Sequence, residues 1–212
     1  IGAEKSEDGI ANIALGLGKY IMDGGTSLRF SPAYPNNILQ TSTLEFALRE
    51  TQTYFNALDL SQMQFVPQVD DGFNLLKIRV SDAEKDGTLR YIASTFNPQD
   101  QVINDSIYEG GRKIITFANI LKHNVFPLAE TLKEVLHIAQ AEMGRPIEIE
   151  FAVNLDYSPL KQHIFYLLQI RPIVDNKEMV NEDIGAIPEE NAIITCKNAL
   201  GHGITNDIYD LI

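Results

Sequence analysis

Residues 147–153 read Ile-Glu-Ile-Glu-Phe-Ala-Val, an alternation of apolar and acidic side chains that continues into apolar residues. Alternation with a period of two is typical of a β-strand, in which residues i and i+2 lie on the same face. Glu148 and Glu150 therefore share one face of the predicted strand, and the isoleucines occupy the other. We therefore expect a strand over these residues.

A second stretch, Tyr-Leu-Leu-Gln-Ile-Arg-Pro-Ile at 166–173, has the same period. If it pairs antiparallel with the first, across a loop from Asn154 to His163, two carboxylates, an amide and a guanidinium collect on one face. The polar pair of the second strand is Gln169 and Arg171. The residues expected on its apolar face are Tyr166, Leu168 and Ile170.

Two interpretations of this polar face are open. In the first it is the solvated face of an ordinary hairpin, where a cross-strand Glu–Arg pair is worth a few tenths to about 1 kcal/mol. In the second it holds a metal-bound polyphosphate, because Mg²⁺ takes one or two carboxylates together with phosphate and water oxygens. Arginine can then grip a phosphate through two parallel hydrogen bonds.

The composition limits the partners of the chain. A net charge of −12 over 212 residues argues against surfaces that bind nucleic acid or anionic membranes through basic patches. No apolar run reaches the length of about 18 residues that a membrane span needs. The single cysteine, Cys196, excludes an internal disulfide framework and predicts a reducing, cytoplasmic setting. Any phosphate-binding hypothesis has to explain the shortage of cations.

Hydrophobic spacing elsewhere predicts an α+β fold, with a mostly antiparallel sheet and packed helices. Residues 127–144 give the clearest helix, with Leu132, Val135, Leu136 and Ala139 in its apolar stripe and Gly144 after its last turn. The other predicted elements are a short, glycine-broken helix over 8–24, a loop over 27–37, a helix over 41–60, a hairpin formed by 73–82 and 89–97, and a strand beginning at 111.

The character of the sequence changes after Pro172, where an acidic, poorly periodic stretch begins. We expect one domain over 1–175, and a linker with the start of a further segment over 176–212. The chain begins with isoleucine and ends on an apolar segment, so we expect it to be part of a longer cytoplasmic protein.

The stretch GRPIEIEFAV at 144–153, followed by YLLQIRPI at 166–173, resembles the closing portion of the ATP-grasp nucleotide-binding domain of phosphoenolpyruvate synthase and pyruvate phosphate dikinase. That family has an acidic-X-Glu-Phe/Trp strand and then a Gln-X-Arg strand. IALGLGKYIMDG at 13–24 is similar to the family's Gly-Leu-Gly-Glu segment, with Lys19 in place of the Glu. ITCKNALGHGI at 194–204 is similar to the region that enters the family's phosphohistidine swivelling domain.

The resemblance implies an ATP-grasp-like fold that binds ATP and Mg²⁺. It places Glu148, Glu150 and Gln169 at the metal and its phosphates, with Glu150 the firmer metal ligand. It gives Arg171 a catalytic role, the neutralisation of charge on the transferring phosphate. It also implies that phosphate-binding Lys and Arg residues belong to an earlier ATP-grasp segment, which would account for the acidic charge of this chain.

The resemblance further implies a reaction. ATP phosphorylates a histidine on a mobile domain, which carries the phosphoryl group to pyruvate at a separate barrel. The partners would be ATP and the other domains of the same enzyme; homo-oligomers are left open. We expect the synthase reaction. The alternatives are a phosphate-dependent dikinase, a dikinase with another acceptor, and a non-catalytic scaffold or nucleotide sensor. We expect the 212-residue chain alone to be inactive.

No histidine of the chain is expected to accept the phosphoryl group, because the family's acceptor belongs to a later motif. His137 lies on the predicted main helix, and His202 lies between two glycines. His123 and His163 are expected in loops.

Overall fold

The computed structural model describes residues 8–61, 74–155 and 162–173. These residues form an α+β fold of small antiparallel sheets with few helices, as the hydrophobic spacing predicts. Four separate sheets take the place of the single sheet that was expected. The predicted linker over 176–212 lies outside the described residues. Within the described ranges, no helix is both long and apolar enough to cross a membrane.

The first sheet occupies a region that was predicted to be helix and loop. Strand β1 (Ala11–Ile13) pairs antiparallel with β2 (Leu28–Phe30), and each strand buries its two outer residues. The loop predicted over 27–37 is therefore wrong at β2. Three-residue strands are too short for a period of two to be distinguished from a helical stripe.

The helix predicted over 8–24 is reduced to one turn, α1 (Lys19–Met22). Gly9 and Gly16 adopt positive φ angles of 73° and 92°, which a continuous right-handed helix does not allow. The apolar stripe thus belongs to two elements separated by glycine turns.

The helix predicted over 41–60 is correct only at its start. Helix α2 (Leu44–Arg49) follows a 3₁₀ turn (Leu39–Thr41), and the Thr43 hydroxyl caps it by accepting a hydrogen bond from the Phe46 amide at 3.2 Å. The chain then becomes strand β3 (Tyr54–Leu58).

The hairpin predicted between 73–82 and 89–97 is wrong in its pairing. Strand β4 (Leu75–Arg79) forms as expected, but it pairs with β3, from Tyr54 opposite Arg79 to Leu58 opposite Leu75. A helical turn, α3 (Val80–Ala83), follows β4 directly. Alternation assigns faces to a strand and leaves its partner undetermined.

The three-stranded sheet has the order β6-β5-β7 and is antiparallel throughout. Strand β5 (Ala93–Asn97) lies in the middle, between β6 (Val102–Asn104) and β7 (Arg112–Ile115). The strand predicted from residue 111 is confirmed as β7. A one-turn helix, α4 (Ala118–Leu121), follows it.

The long helix α5 (Leu128–Met143) is confirmed. Gly144 ends it in a left-handed conformation with φ of 63°, and its amide donates to the Gln140 carbonyl at 2.9 Å. Leu132 on its inner face is 1% exposed, so this helix contributes directly to the core. The main hydrophobic cluster combines β1, β2, β5, β7, α4 and α5, with Phe30, Leu89, Ile92, Ile115, Leu121 and Leu132 among its members.

The predicted hairpin at the end of the described chain is also confirmed. Strands β8 (Ile147–Asn154) and β9 (Ile164–Pro172) pair antiparallel, and β8 contacts α5. The loop between them is described at its two ends only.

Candidate functional site

The β8–β9 hairpin is fixed to the core through one face. Ile147 is buried, and Ile149, Phe151 and Val153 pack against the main hydrophobic cluster. The Phe151 and Phe165 rings stack across the two strands, with centroids 5.3 Å apart and planes 15° apart. Because alternate residues point to opposite faces, this packing holds the intervening Glu side chains away from the core.

The register brings the four predicted site residues together. Glu148 lies directly opposite Arg171, and Glu150 lies directly opposite Gln169. Directly opposed residues of an antiparallel pair have Cβ atoms about 4.5–5.5 Å apart, so the four side chains form one contiguous polar face. The predicted convergence is confirmed for all four residues.

Two of these residues form an ion pair. The Arg171 Nε atom donates to Glu148 Oε1, and the two side chains are 50% and 51% exposed. An ion pair this open to water is screened and contributes at most about 1 kcal/mol to stability. The pair was expected from the first interpretation of the hairpin, as a cross-strand Glu–Arg contact.

The other two side chains have no such partner. Glu150 and Gln169 are exposed, and within the described ranges neither side chain forms a hydrogen bond or an ion pair. A carboxylate and an amide carbonyl held side by side on rigid strands offer oxygen atoms to a ligand at little conformational cost.

A β-bulge changes the face on which part of β9 lies. Glu150 pairs with Gln169, whereas the next residue, Phe151, pairs with Leu167, so Leu168 is left as the extra residue. Leu168 is consequently 64% exposed, although it was expected on the buried face.

Tyr166 is displaced by the same bulge. It lies opposite Ala152, which shares the face of Glu150 because the two are two residues apart on β8. The prediction that Tyr166 faces the apolar side is therefore wrong. A bulge adds one residue to one strand, and the alternation of a single sequence does not reveal it.

The side chains of this face can bind Mg²⁺ only if a bound phosphate and water supply the remaining ligands. Among the described residues no group of three His, Cys, Asp or Glu side chains could hold a metal ion. Glu148 and Glu150 are two carboxylates, which is the usual protein contribution where substrate phosphates and waters complete the octahedron around Mg²⁺. The side chains of Glu150, Gln169 and Glu148 thus fit a metal that arrives with a polyphosphate.

The glycine segment that resembles the family motif has a structural role in this fold. A Cβ atom on Gly16 would lie 2.6 Å from the Asn56 carbonyl oxygen, so only glycine fits against β3. The Leu17 amide donates to the same carbonyl at 3.0 Å. Lys19 pairs with Asp23 at 3.1 Å on the surface.

His163 lies outside the helices and strands, as expected, and its side chain also packs against two aromatic rings. Its ring packs edge-to-face against Tyr91 and Phe126, with centroid distances of 5.4 and 6.0 Å. Its Nδ1 atom is buried, and no described residue forms a hydrogen bond with it. These contacts anchor the residue that precedes β9. His123 lies in a surface turn as predicted, 3.1 Å from Asp105.

A scan of the chain against protein-family models and searches of curated proteins and of solved structures found no match. Any statement about its family therefore rests on the residues of the chain itself.

Proposed function

We propose that the β8–β9 hairpin is part of an ATP-binding site in a phosphoenolpyruvate synthase-like phosphotransferase. The proposal is supported by one observation above the others: Glu148 lies opposite Arg171 and Glu150 lies opposite Gln169 on a single exposed face. The acidic-X-Glu and Gln-X-Arg motifs of the family would need this juxtaposition to act on one ligand.

The proposed division of roles follows from the contacts. Glu150 is the principal metal ligand, because its carboxylate has no competing partner in the described part of the chain. Gln169 adds its carbonyl oxygen to the metal or its amide to a phosphate. Bound Mg²⁺ would neutralise phosphate charge, and the chain's own side chains orient the metal and the phosphates.

Arg171 has to change partner in this scheme. It pairs with Glu148 in the structure, and it would turn to a phosphate when Glu148 turns to the metal. Because an exposed ion pair contributes at most about 1 kcal/mol, the exchange costs little. A guanidinium on a phosphate that is being transferred stabilises negative charge where it develops.

Turnover tests this proposal in the complete enzyme. Pyruvate-dependent formation of AMP is expected to fall at least about tenfold on Glu150→Ala or Arg171→Ala, as when a preorganised charge contact is removed. Glu142→Ala, on the exposed side of α5, is the control and should retain activity. Full turnover in both site variants would contradict the proposal.

The same assay separates the acceptors. The synthase reaction, which we propose first, transfers one phosphoryl group of ATP to pyruvate and the other to water, so it forms AMP and releases phosphate without needing added phosphate. A phosphate-dependent dikinase would need phosphate, and a dikinase with another acceptor would not respond to pyruvate.

One observation favours a non-catalytic scaffold or nucleotide sensor as a second candidate. Lys19 replaces an acidic residue of the family motif, and it is held by Asp23. A sensor would bind Mg·ATP through the same face, and turnover would be unaffected by Glu150→Ala.

A further inference from the structure

A second polar face lies on the β3–β4 hairpin. On its inner side Phe55 packs against the main hydrophobic cluster. Its outer side therefore carries the alternate residues, and the register places Tyr54 opposite Arg79 and Asn56 opposite Lys77. Lys77 and Arg79 are both exposed.

The two cations share one aromatic ring. Lys77 Nζ lies 5.2 Å from the centroid of the Tyr54 ring, and Arg79 Cζ lies 5.7 Å from it. Such contacts are worth about 0.5–1 kcal/mol at exposed sites, enough to order the side chains without neutralising them.

Among the described residues, no carboxylate neutralises the two cations. Within the described ranges neither Lys77 nor Arg79 forms an ion pair. The acid that follows them most closely along the chain, Asp82, is held by Lys85 at 3.0 Å. In a chain of net charge −12, two neighbouring cations that pair with no described carboxylate are conspicuous, because carboxylates are plentiful.

We propose that Lys77, Arg79 and Tyr54 form a binding site for the phosphate chain of a di- or triphosphate. Arginine offers a planar fork of donors to one phosphate, and lysine offers a point charge to the next. Asn56, opposite Lys77, adds an amide donor to the same face. The ring holds both cations in place, which lowers the entropy lost when the anion binds.

The ordinary alternative is the solvated face of a two-stranded hairpin, and a metal-free titration separates the two. Tripolyphosphate is titrated into the 212-residue chain in the presence of EDTA, and binding is measured by calorimetry. The Lys77→Gln/Arg79→Gln variant is expected to bind about tenfold more weakly or worse, since two charge-assisted contacts are lost. The control, Arg112→Gln/Lys133→Gln, removes the same charge from two exposed positions on β7 and α5 that form no ion pair with a described residue.

The expected result is a loss confined to the first variant, with the control within about twofold of the wild type because long-range charge effects are screened. Equal affinity in the wild type and the Lys77→Gln/Arg79→Gln variant would overturn the proposal, and so would an equal loss in the control. Tyr54→Leu, which removes the ring and keeps both cations, should also weaken binding.

Titrations with ATP and with adenosine test whether the site recognises the phosphates or the nucleoside. ATP without metal should bind as tightly as tripolyphosphate, and adenosine should not bind, because the site recognises phosphates alone. Binding of adenosine comparable to ATP would overturn this assignment. The proposal is independent of the β8–β9 site, whose failure would appear only in the metal-dependent part of ATP binding.

Discussion

At the scale of single residues, the proposed ATP site depends on how weakly its side chains are held. Glu150 and Gln169 are free of partners within the described ranges, and Arg171 is engaged only by the half-exposed Glu148. A residue that must exchange partners during phosphoryl transfer is served better by a weak contact than by a buried one. The strength of the Glu148–Arg171 pair is therefore informative about function.

A double-mutant cycle measures that strength. Glu148→Gln and Arg171→Gln, singly and together, should give a coupling free energy of a few tenths to about 1 kcal/mol in denaturant unfolding, because both side chains are half exposed. The coupling should shrink in about 1 M salt, where the Debye length is short. A coupling well above 2 kcal/mol would mean that Arg171 is committed to a structural pair.

Asp59 provides a separate test of the local geometry. The Ser61 hydroxyl, and then the Ser61 amide, donate hydrogen bonds to its carboxylate and lower the pKa of Asp59 below its usual range. A lowered pKa in the folded state gives a contribution to stability that is present above the unfolded pKa and is lost as the pH falls through the folded pKa.

Ser61→Ala should return the pKa of Asp59 towards its ordinary value, as followed by NMR of the carboxyl carbon during an acid titration. Ser61→Thr keeps a hydroxyl and should keep the pKa low. An unchanged pKa in Ser61→Ala would show that the hydroxyl bond does not form in solution.

At the scale of elements, the sequence predicts segments with clear end signals well, and it predicts short strands and strand partners poorly. Helix α5 and the β8–β9 hairpin form as expected, because each has enough periodic residues and clear end signals. Strand β1 was mistaken for helix, since Ala11–Ile13 is too short to define a period. The pairing of β4 was also wrong, because its partner depends on long-range packing.

The candidate site follows the same division. The alternation places Glu148, Glu150, Gln169 and Arg171 on one face, and the structure agrees. The bulge at Leu168 and the exposure of Tyr166 were not predictable, because a single extra residue leaves no signal in the pattern. The pairing of Lys77 with Asn56, and thus the second polar face, required the β3–β4 register, which the sequence did not provide.

Two glycines at helix ends, Gly144 after α5 and Gly18 before α1, allow a matched test of the left-handed cap. Gly144 has φ of 63°, Gly18 has φ of −57°, and a Cβ on either would meet no heavy atom of the described chain within 4 Å. Gly144→Ala should cost about 1 kcal/mol of unfolding free energy, because alanine is strained in the left-handed region. Gly18→Ala should be neutral or stabilising by up to about 1 kcal/mol. Equal effects in thermal unfolding would contradict the αL cap.

At the scale of the whole molecule, charge is the organising feature. The chain is strongly acidic. Its described part has one polar face on β8–β9 that contains two carboxylates, and a second polar face on β3–β4 that contains two cations. The two faces suit two forms of phosphate, since a phosphate-bound metal ion requires oxygen ligands and a bare phosphate requires cations. We propose that Glu148 and Glu150 act on phosphate through Mg²⁺.

The most direct test is a calorimetric titration of ATP into the chain, with Mg²⁺ and again with EDTA. For the wild type we predict that Mg²⁺ tightens ATP binding by about tenfold, because the metal links the carboxylates to the phosphates of ATP. In Glu150→Ala this gain should disappear, while Glu142→Ala, an exposed acid of α5, should retain it. An equal gain in affinity from Mg²⁺ in Glu150→Ala and the wild type would contradict the proposed metal site at Glu150.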